Sequence, residues 1–251
     1  MDHLSNSQRF MMTKPPETQK PRVGPKTKGA GIVGIIGLTI AVTLGLEGGY
    51  VDDPVDPGGE TNHGVTVAVA RDNGFRGEMI DLKRECDYSV RLPASIAATL
   101  DPEVIEDAET DDDGDEPCAA QIYYRDYVEK PGFVPLFVID PWVAREVFDT
   151  AINMGPSRPS RFFQRSVNRL CGTQLVVDGK IGPQTIKAWD DCRTNLDIPV
   201  CQAMIHDLDR QQRDEYLRLI RNNPSLNRFR RGWLNHRIGN VDVRNCGKAM
   251  T

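Results

Sequence analysis

Hydrophobic and polar positions divide this chain into blocks of different character. Residues 1–28 are rich in Pro, Lys, Ser and Thr and show no apolar period, which predicts a disordered basic N-terminus. Eighteen uncharged and mostly apolar residues follow, from Gly29 to Leu46, and read as one apolar helix. Residues 47–66 then gather carboxylates, glycines and prolines into a turn-rich loop. Helical spacing returns at Trp142 and stops at Gly155. Phe162, Phe163, Val167 and Leu170 mark a second apolar stripe, ended by Gly172. Asp178-Gly179 reads as a turn and Gly182-Pro183 as the start of a helix containing Ile186 and Trp189. Pro199 to Ile220 reads as a further, longer helix. The pattern predicts a mainly α protein with a boundary near residue 140: one domain over 47–140 and a second over 141–251.

The apolar segment 29–46 allows three readings. As a helix it spans about 27 Å, slightly short of the roughly 30 Å hydrocarbon core. Basic residues before it and acidic residues after it favour a transmembrane or signal-anchor helix with the N-terminus inside. A buried core helix and a cleaved signal peptide are the alternatives; no clear A-x-A site supports cleavage. Five glycines keep the segment weakly apolar, and Gly37, Ala41 and Gly45 form a smooth stripe of small residues. The expectation is a membrane anchor.

Charge sharpens this picture. The formal net charge is −5, yet residues 1–28 carry six Lys/Arg against two acids, and residues 205–251 carry ten against five. The middle of the chain is therefore strongly acidic. All six cysteines lie after residue 85 without C-x-x-C spacing, which excludes a zinc knuckle or a thioredoxin-like motif. Their even number suits up to three disulfides in an oxidising compartment, and the spacing leaves the pairing open.

The run from Glu47 to Thr66 carries the candidate chemistry. Glycosidic hydrolysis needs a protonated carboxyl beside the leaving oxygen and a second group that stabilises a cation or activates water. Glu47 follows an apolar helix, where desolvation raises a carboxyl's proton affinity. Gly48-Gly49 lets the chain turn and leaves room for a bulky substrate. Asp52, Asp53, Asp56 and Glu60 are candidates for the second group, with Asp56 the choice, and Thr61 is placed to orient water. A Glu, an Asp and a Thr at this spacing resemble the active-site arrangement of phage lysozymes. The whole string Glu47-Gly-Gly-Tyr-Val-x-Asp-Pro-x-Asp-Pro-Gly-Gly-x-Thr-Asn-x-Gly-Val-Thr66 resembles the signature of glycoside hydrolase family 108. That resemblance implies a lysozyme-like helical domain, N-acetylmuramidase activity on peptidoglycan without a cofactor, Glu47 as catalytic residue, and Tyr50 and Asn62 as substrate contacts.

The chain departs from the family pattern in two places. Its first helix is apolar all round rather than amphipathic, which resembles signal-anchor-release endolysins of phages. Such an enzyme waits at the host inner membrane, N-terminus cytoplasmic and remainder periplasmic, and works once released into the periplasm. The second departure is the acidic insertion Glu106–Glu116. It fails as an EF-hand, because Ala120 falls where the bidentate Glu belongs, and it reads as a solvated loop.

In the C-terminal half, Asp178-Gly-Lys-Ile-Gly-Pro-Gln-Thr-Ile-Lys-Ala-Trp189 resembles the V-D-G-x-x-G-P-x-T motif of small helical peptidoglycan-binding domains. The resemblance implies wall contact by Asp178, Gly179, Ile181 and Gly182. No metal-ligand cluster surrounds His206 or His236. Seven arginines from Arg218 to Arg244 suit contact with an anionic envelope, and no nucleic-acid motif accompanies them. The expected protein is a phage endolysin with a lysozyme-like domain, a peptidoglycan-binding domain and a membrane helix. A lytic transglycosylase and a non-catalytic wall-binding or virion protein are the alternatives.

Overall fold

A computed structural model describes residues 31–46, 48–52, 59–86, 88, 90, 116–248 and 250. The expected disordered N-terminus, Glu47, Asp53, Asp56 and residues 106–115 of the acidic insertion lie outside the described residues. Helix α1 spans Ile32–Leu46, and a two-residue hairpin, β1 (Thr61–Asn62) with β2 (Val65–Thr66), leads into α2 (Val67–Asp72). After a 3-10 turn at Met79–Asp81 come α3 (Ala119–Tyr124), a π-helical turn (Arg125–Glu129), α4 (Val134–Ile139) and α5 (Pro141–Met154). The C-terminal part holds α6 (Ser157–Cys171), α7 (Pro183–Asn222), a 3-10 segment (Pro224–Phe229), α8 (Arg230–His236) and a last 3-10 turn (Val243–Asn245).

The apolar segment is a core helix. Ile32, Ile35, Ile36, Thr39, Ile40, Thr43 and Leu44 are buried. They recur at three- and four-residue steps along one side, the spacing of a single helix face. That face packs on α3, α4 and α5. Threonine fits there because its hydroxyl returns to the helix: Thr39 Oγ1 donates to Ile35 O at 2.8 Å and Thr43 Oγ1 to Thr39 O at 3.0 Å. The Gly37, Ala41, Gly45 stripe lies on the less buried side, beside exposed Leu38 and Val42. Fifteen residues give about 22 Å of helix. Among the described residues no helix is long and apolar enough to cross a membrane. In this structure one face of the segment is buried against protein, and the expected membrane anchor is not shown.

Helices α5 and α6 form where the apolar spacing predicts them. Asp140 caps α5, its Oδ1 accepting from Val143 N at 3.3 Å, with Pro141 in the first turn where no backbone N–H is needed. Gly155 and Gly172 end the two helices at positive φ, 74° and 66°, where a side chain is disfavoured. Beyond them the expectation of two helices broken at Pro199 is corrected. Helix α7 runs 40 residues straight through that proline. An interior proline removes one backbone hydrogen bond and costs about 3 kcal/mol. Two disulfides, Cys171–Cys192 and Cys201–Cys246, tie the helix to its surroundings on either side of it. Cys86–Cys118 completes the pairing and leaves no free thiol.

Charged groups are buried where α5 meets α7 and α8. Arg237 Nη1 donates to Asp149 Oδ1 at 3.0 Å, and Gly239 N donates to Asp209 Oδ1 at 2.7 Å. Glu146 is fully buried beside them. Burial first, then the Asp209 and Asp149 carboxylates, push its carboxyl well above the usual range; Arg145 and Thr150 offset only part. The folded state therefore holds a proton on Glu146 that the unfolded chain gives up above about pH 4.5. Because the unfolded chain binds fewer protons there, stability falls as pH rises towards the folded-state pKa. Glu146→Gln removes this contribution. Its urea midpoint is expected to change less between about pH 5 and pH 8 than that of the parent protein. Equal pH slopes for the two proteins would show that Glu146 is not held protonated.

Candidate active site

The segment after Glu47 folds back on itself. Val51 and Thr61 exchange both backbone hydrogen bonds, Val51 N to Thr61 O and Thr61 N to Val51 O, each at 2.8 Å. Thr61 then pairs with Thr66, and Asn62 with Val65, across a two-residue turn. The turn is His63-Gly64, with φ of 49° and 76°. Two positive φ values in succession are what a type I′ hairpin requires, and glycine meets that demand at the second position. Thr66 leaves the hairpin as the N-cap of α2, accepting from Val69 N at 3.4 Å.

Two side chains fasten this hairpin to the helical core. Asn62 is buried, and its Nδ2 donates to Met79 O at 2.7 Å. Tyr123 Oη donates to His63 O at 3.2 Å. The expected substrate contact Asn62 therefore spends its amide nitrogen on holding the hairpin in place. Thr61 donates its hydroxyl to Gly59 O at 3.1 Å and keeps its oxygen lone pairs for accepting.

Around the exposed ring of Tyr50 the structure gathers negative charge. The register of the Val51–Thr61 bridge sets Asp52 opposite Glu60. The Glu60 carboxylate beside the Tyr50 hydroxyl, with smaller contributions from burial and from the charges of Asp52 and Glu78, holds the phenol above its ordinary pKa. Three carboxylates thus act on one phenol in the stretch of chain that follows Glu47. Of the sequence candidates, Tyr50, Asp52, Glu60 and Thr61 meet here. Among the described residues no group of His, Cys, Asp or Glu is arranged to hold a metal ion.

The second motif is built differently. Gln164, buried on α6, reaches into the Asp178-Gly179 turn with both ends of its amide. Its Nε2 donates to Asp178 Oδ1 at 2.8 Å and to Lys180 O at 3.0 Å, and its Oε1 accepts from Gly179 N at 2.9 Å. The Gln164 bond is the main reason that the Asp178 carboxyl lies below its ordinary pKa, aided by Lys180 N at 2.9 Å. Gly179 has φ of 86°, and a Cβ there would stand 2.8 Å from Ser157 Oγ. Ile181 is buried, and its carbonyl oxygen lies 2.5 Å from where a Cβ on Gly132 would be. Gly182 caps α7. These residues shape the turn and its seat against the first domain, while the Asp178 side chain stays at the surface.

Sequence reasoning missed Gln164. Its only signal is a polar residue beside Phe163 and Val167, on a helix face that also buries Ser160 and Ser166. Gln164→Ala is expected to lower stability by about 1–3 kcal/mol, because Gly179 N loses its buried acceptor. Thermal unfolding checks this, and an unchanged midpoint would show that the turn holds without the glutamine.

Comparison with known proteins gives two consecutive matches that meet near residues 155–158. Residues 40–155 match the family model of Glycosyl hydrolase 108, which begins inside α1 and ends at Gly155. Residues 158–238 match that of a Predicted Peptidoglycan domain. Among solved structures the fold is similar to SagA of Brucella abortus, with a TM-score of 0.53 and 21% identity over 86% of this chain and 98% of that one. No protein of curated function matches the chain. One segment of the chain thus matches a glycosyl hydrolase 108 model and the next a peptidoglycan-domain model, and the two together support a hydrolase that acts on peptidoglycan.

Proposed function

We propose that the protein is an N-acetylmuramidase that cleaves β-1,4 bonds of the glycan strand, in the manner of an endolysin. The observation that carries this reading is the Val51–Thr61 bridge and the Thr61–Thr66 hairpin, both within the glycosyl hydrolase match. Glu47 stands in sequence between the apolar α1 and that run, and in this reading it is the general acid. Negative charge on Asp52, Glu60 and Glu78 around the neighbouring Tyr50 supports it, since nearby carboxylates favour keeping an acid protonated. Asp56 is the assisting carboxylate, and Thr61 accepts a hydrogen bond from the attacking water. Tyr50, exposed beside the acids, offers its ring to a sugar face. The 178–182 turn, with Asp178 outward, contacts the wall. Catalysis in this reading uses no cofactor.

Three disulfides support a place of action outside the reducing cytoplasm. Retention at a membrane through residues 29–46 is not part of this proposal, because the isoleucine stripe of α1 is spent on the protein core.

Mass spectrometry of the ends released from purified peptidoglycan tests the reaction. The protein is expected to produce reducing N-acetylmuramic acid ends, and Glu47→Gln to lower that rate by about 10²–10⁴-fold, the usual contribution of a general acid. Anhydro ends would instead make the enzyme a lytic transglycosylase. Full activity in Glu47→Gln would remove Glu47 from the mechanism.

A further inference from the structure

Between Glu215 and Asp242 the sequence contains no acidic residue and six arginines. Two of them are neutralised, Arg218 by Glu215 and Arg237 by Asp149. The other four, Arg221, Arg228, Arg230 and Arg231, are exposed, and among the described residues none forms an ion pair. Elsewhere on the long helices arginines find partners: Arg169 and Arg210 bind Asp207, and Arg213 faces Asp214. The unpaired four are thus gathered on one edge, formed by the end of α7, the 3-10 segment and α8.

This edge is rigid without being core. Neither the 3-10 segment nor α8 contains a buried residue. An aromatic ladder holds them instead. Tyr216, buried on α7, stacks on Trp233 at 4.6 Å, and Trp233 stacks on Phe229 at 5.6 Å. The Arg228 guanidinium lies over the Phe229 ring at 4.6 Å. Stacking uses the flat face of a guanidinium and leaves its N–H edge directed outward, the edge that binds a carboxylate by two parallel hydrogen bonds. Phe229 itself stays 41% exposed beside this guanidinium. The edge thus presents cationic N–H groups to anions around one partly exposed ring.

We infer that Arg221, Arg228, Arg230 and Arg231 form a docking edge for the stem-peptide carboxylates of peptidoglycan. The inference rests on the reading of the chain as a wall hydrolase and names the chemical handle by which it is held. A protein of net charge −5 meets an anionic polymer with overall repulsion. A cationic edge on the C-terminal elements overcomes that repulsion locally. Stacking of Arg228 on the ladder also lowers the entropy that this side chain loses on binding.

Co-sedimentation of the full chain tests the inference, with three probes: purified peptidoglycan, the same material with its carboxyls converted to neutral amides, and phosphatidylglycerol vesicles. Native peptidoglycan is expected to bind best, with affinity falling as salt rises. The variant R221Q/R228Q/R230Q/R231Q is expected to bind it about tenfold more weakly, with a shallower salt dependence. Replacing the four with lysine should restore most of the binding, which a folding defect would not allow. Equal binding by the glutamine variant, equal binding to amidated peptidoglycan, or stronger binding to the vesicles would each overturn the inference. Release of reducing ends from short soluble glycan fragments is read in parallel. A parent that binds yet releases none would defeat the hydrolase reading and leave the docking edge intact.

Discussion

Burial of the α1 isoleucine stripe is the constraint on which the rest of this structure depends. Five large side chains, Ile32, Ile35, Ile36, Ile40 and Leu44, leave water against α3, α4 and α5. At about 1.5–3 kcal/mol each the burial contributes roughly 8–15 kcal/mol as an upper bound, comparable to the net stability of a whole domain. The helix that reads most like a membrane segment is therefore the element around which the first domain condenses. Its C-terminal end also fixes where the chain emerges towards Gly48, the Val51–Thr61 bridge and the hairpin beyond. Removing the stripe from the core would take the candidate catalytic run with it.

The second domain is fastened to this core by small, specific devices. The close approach of the Ile181 carbonyl to Gly132 leaves no room for a side chain at that position. The Arg237–Asp149 pair joins α8 to α5, and Gln164 shapes the Asp178-Gly179 turn that sits against the first domain. The Asp178-Gly179 turn and the hairpin at Thr61–Thr66 are in this way carried on one continuous framework. Charge is distributed along it unevenly. Carboxylates collect near Tyr50, and unpaired guanidiniums collect on the edge around Phe229.

How far the sequence reveals this depends on whether a residue's role is local. Helices α5 and α6 were legible because their apolar stripes and terminal glycines are local signals. The string from Glu47 to Thr66 was legible as a family signature, and its Asn-His-Gly segment does make the turn. The burial of α1 was not legible, since a helix apolar on all sides carries no mark of which side faces protein. Only the partners α3 to α5 select the isoleucine stripe over the Gly37, Ala41, Gly45 stripe. Continuity of α7 through Pro199 was hidden for a similar reason, because the disulfides that brace it join distant residues. Gln164 and Glu146 looked like ordinary polar positions on helices, and burial is a property of the assembled fold.

The position of α1 is the central claim, and hydrogen exchange measures it directly. Amides of residues 32–46 in detergent-free buffer are expected to exchange as slowly as those of α5, opening only with the whole domain. Fast exchange in α1 while α5 stays protected would mean that the helix is not part of the core, and the membrane reading of residues 29–46 would return.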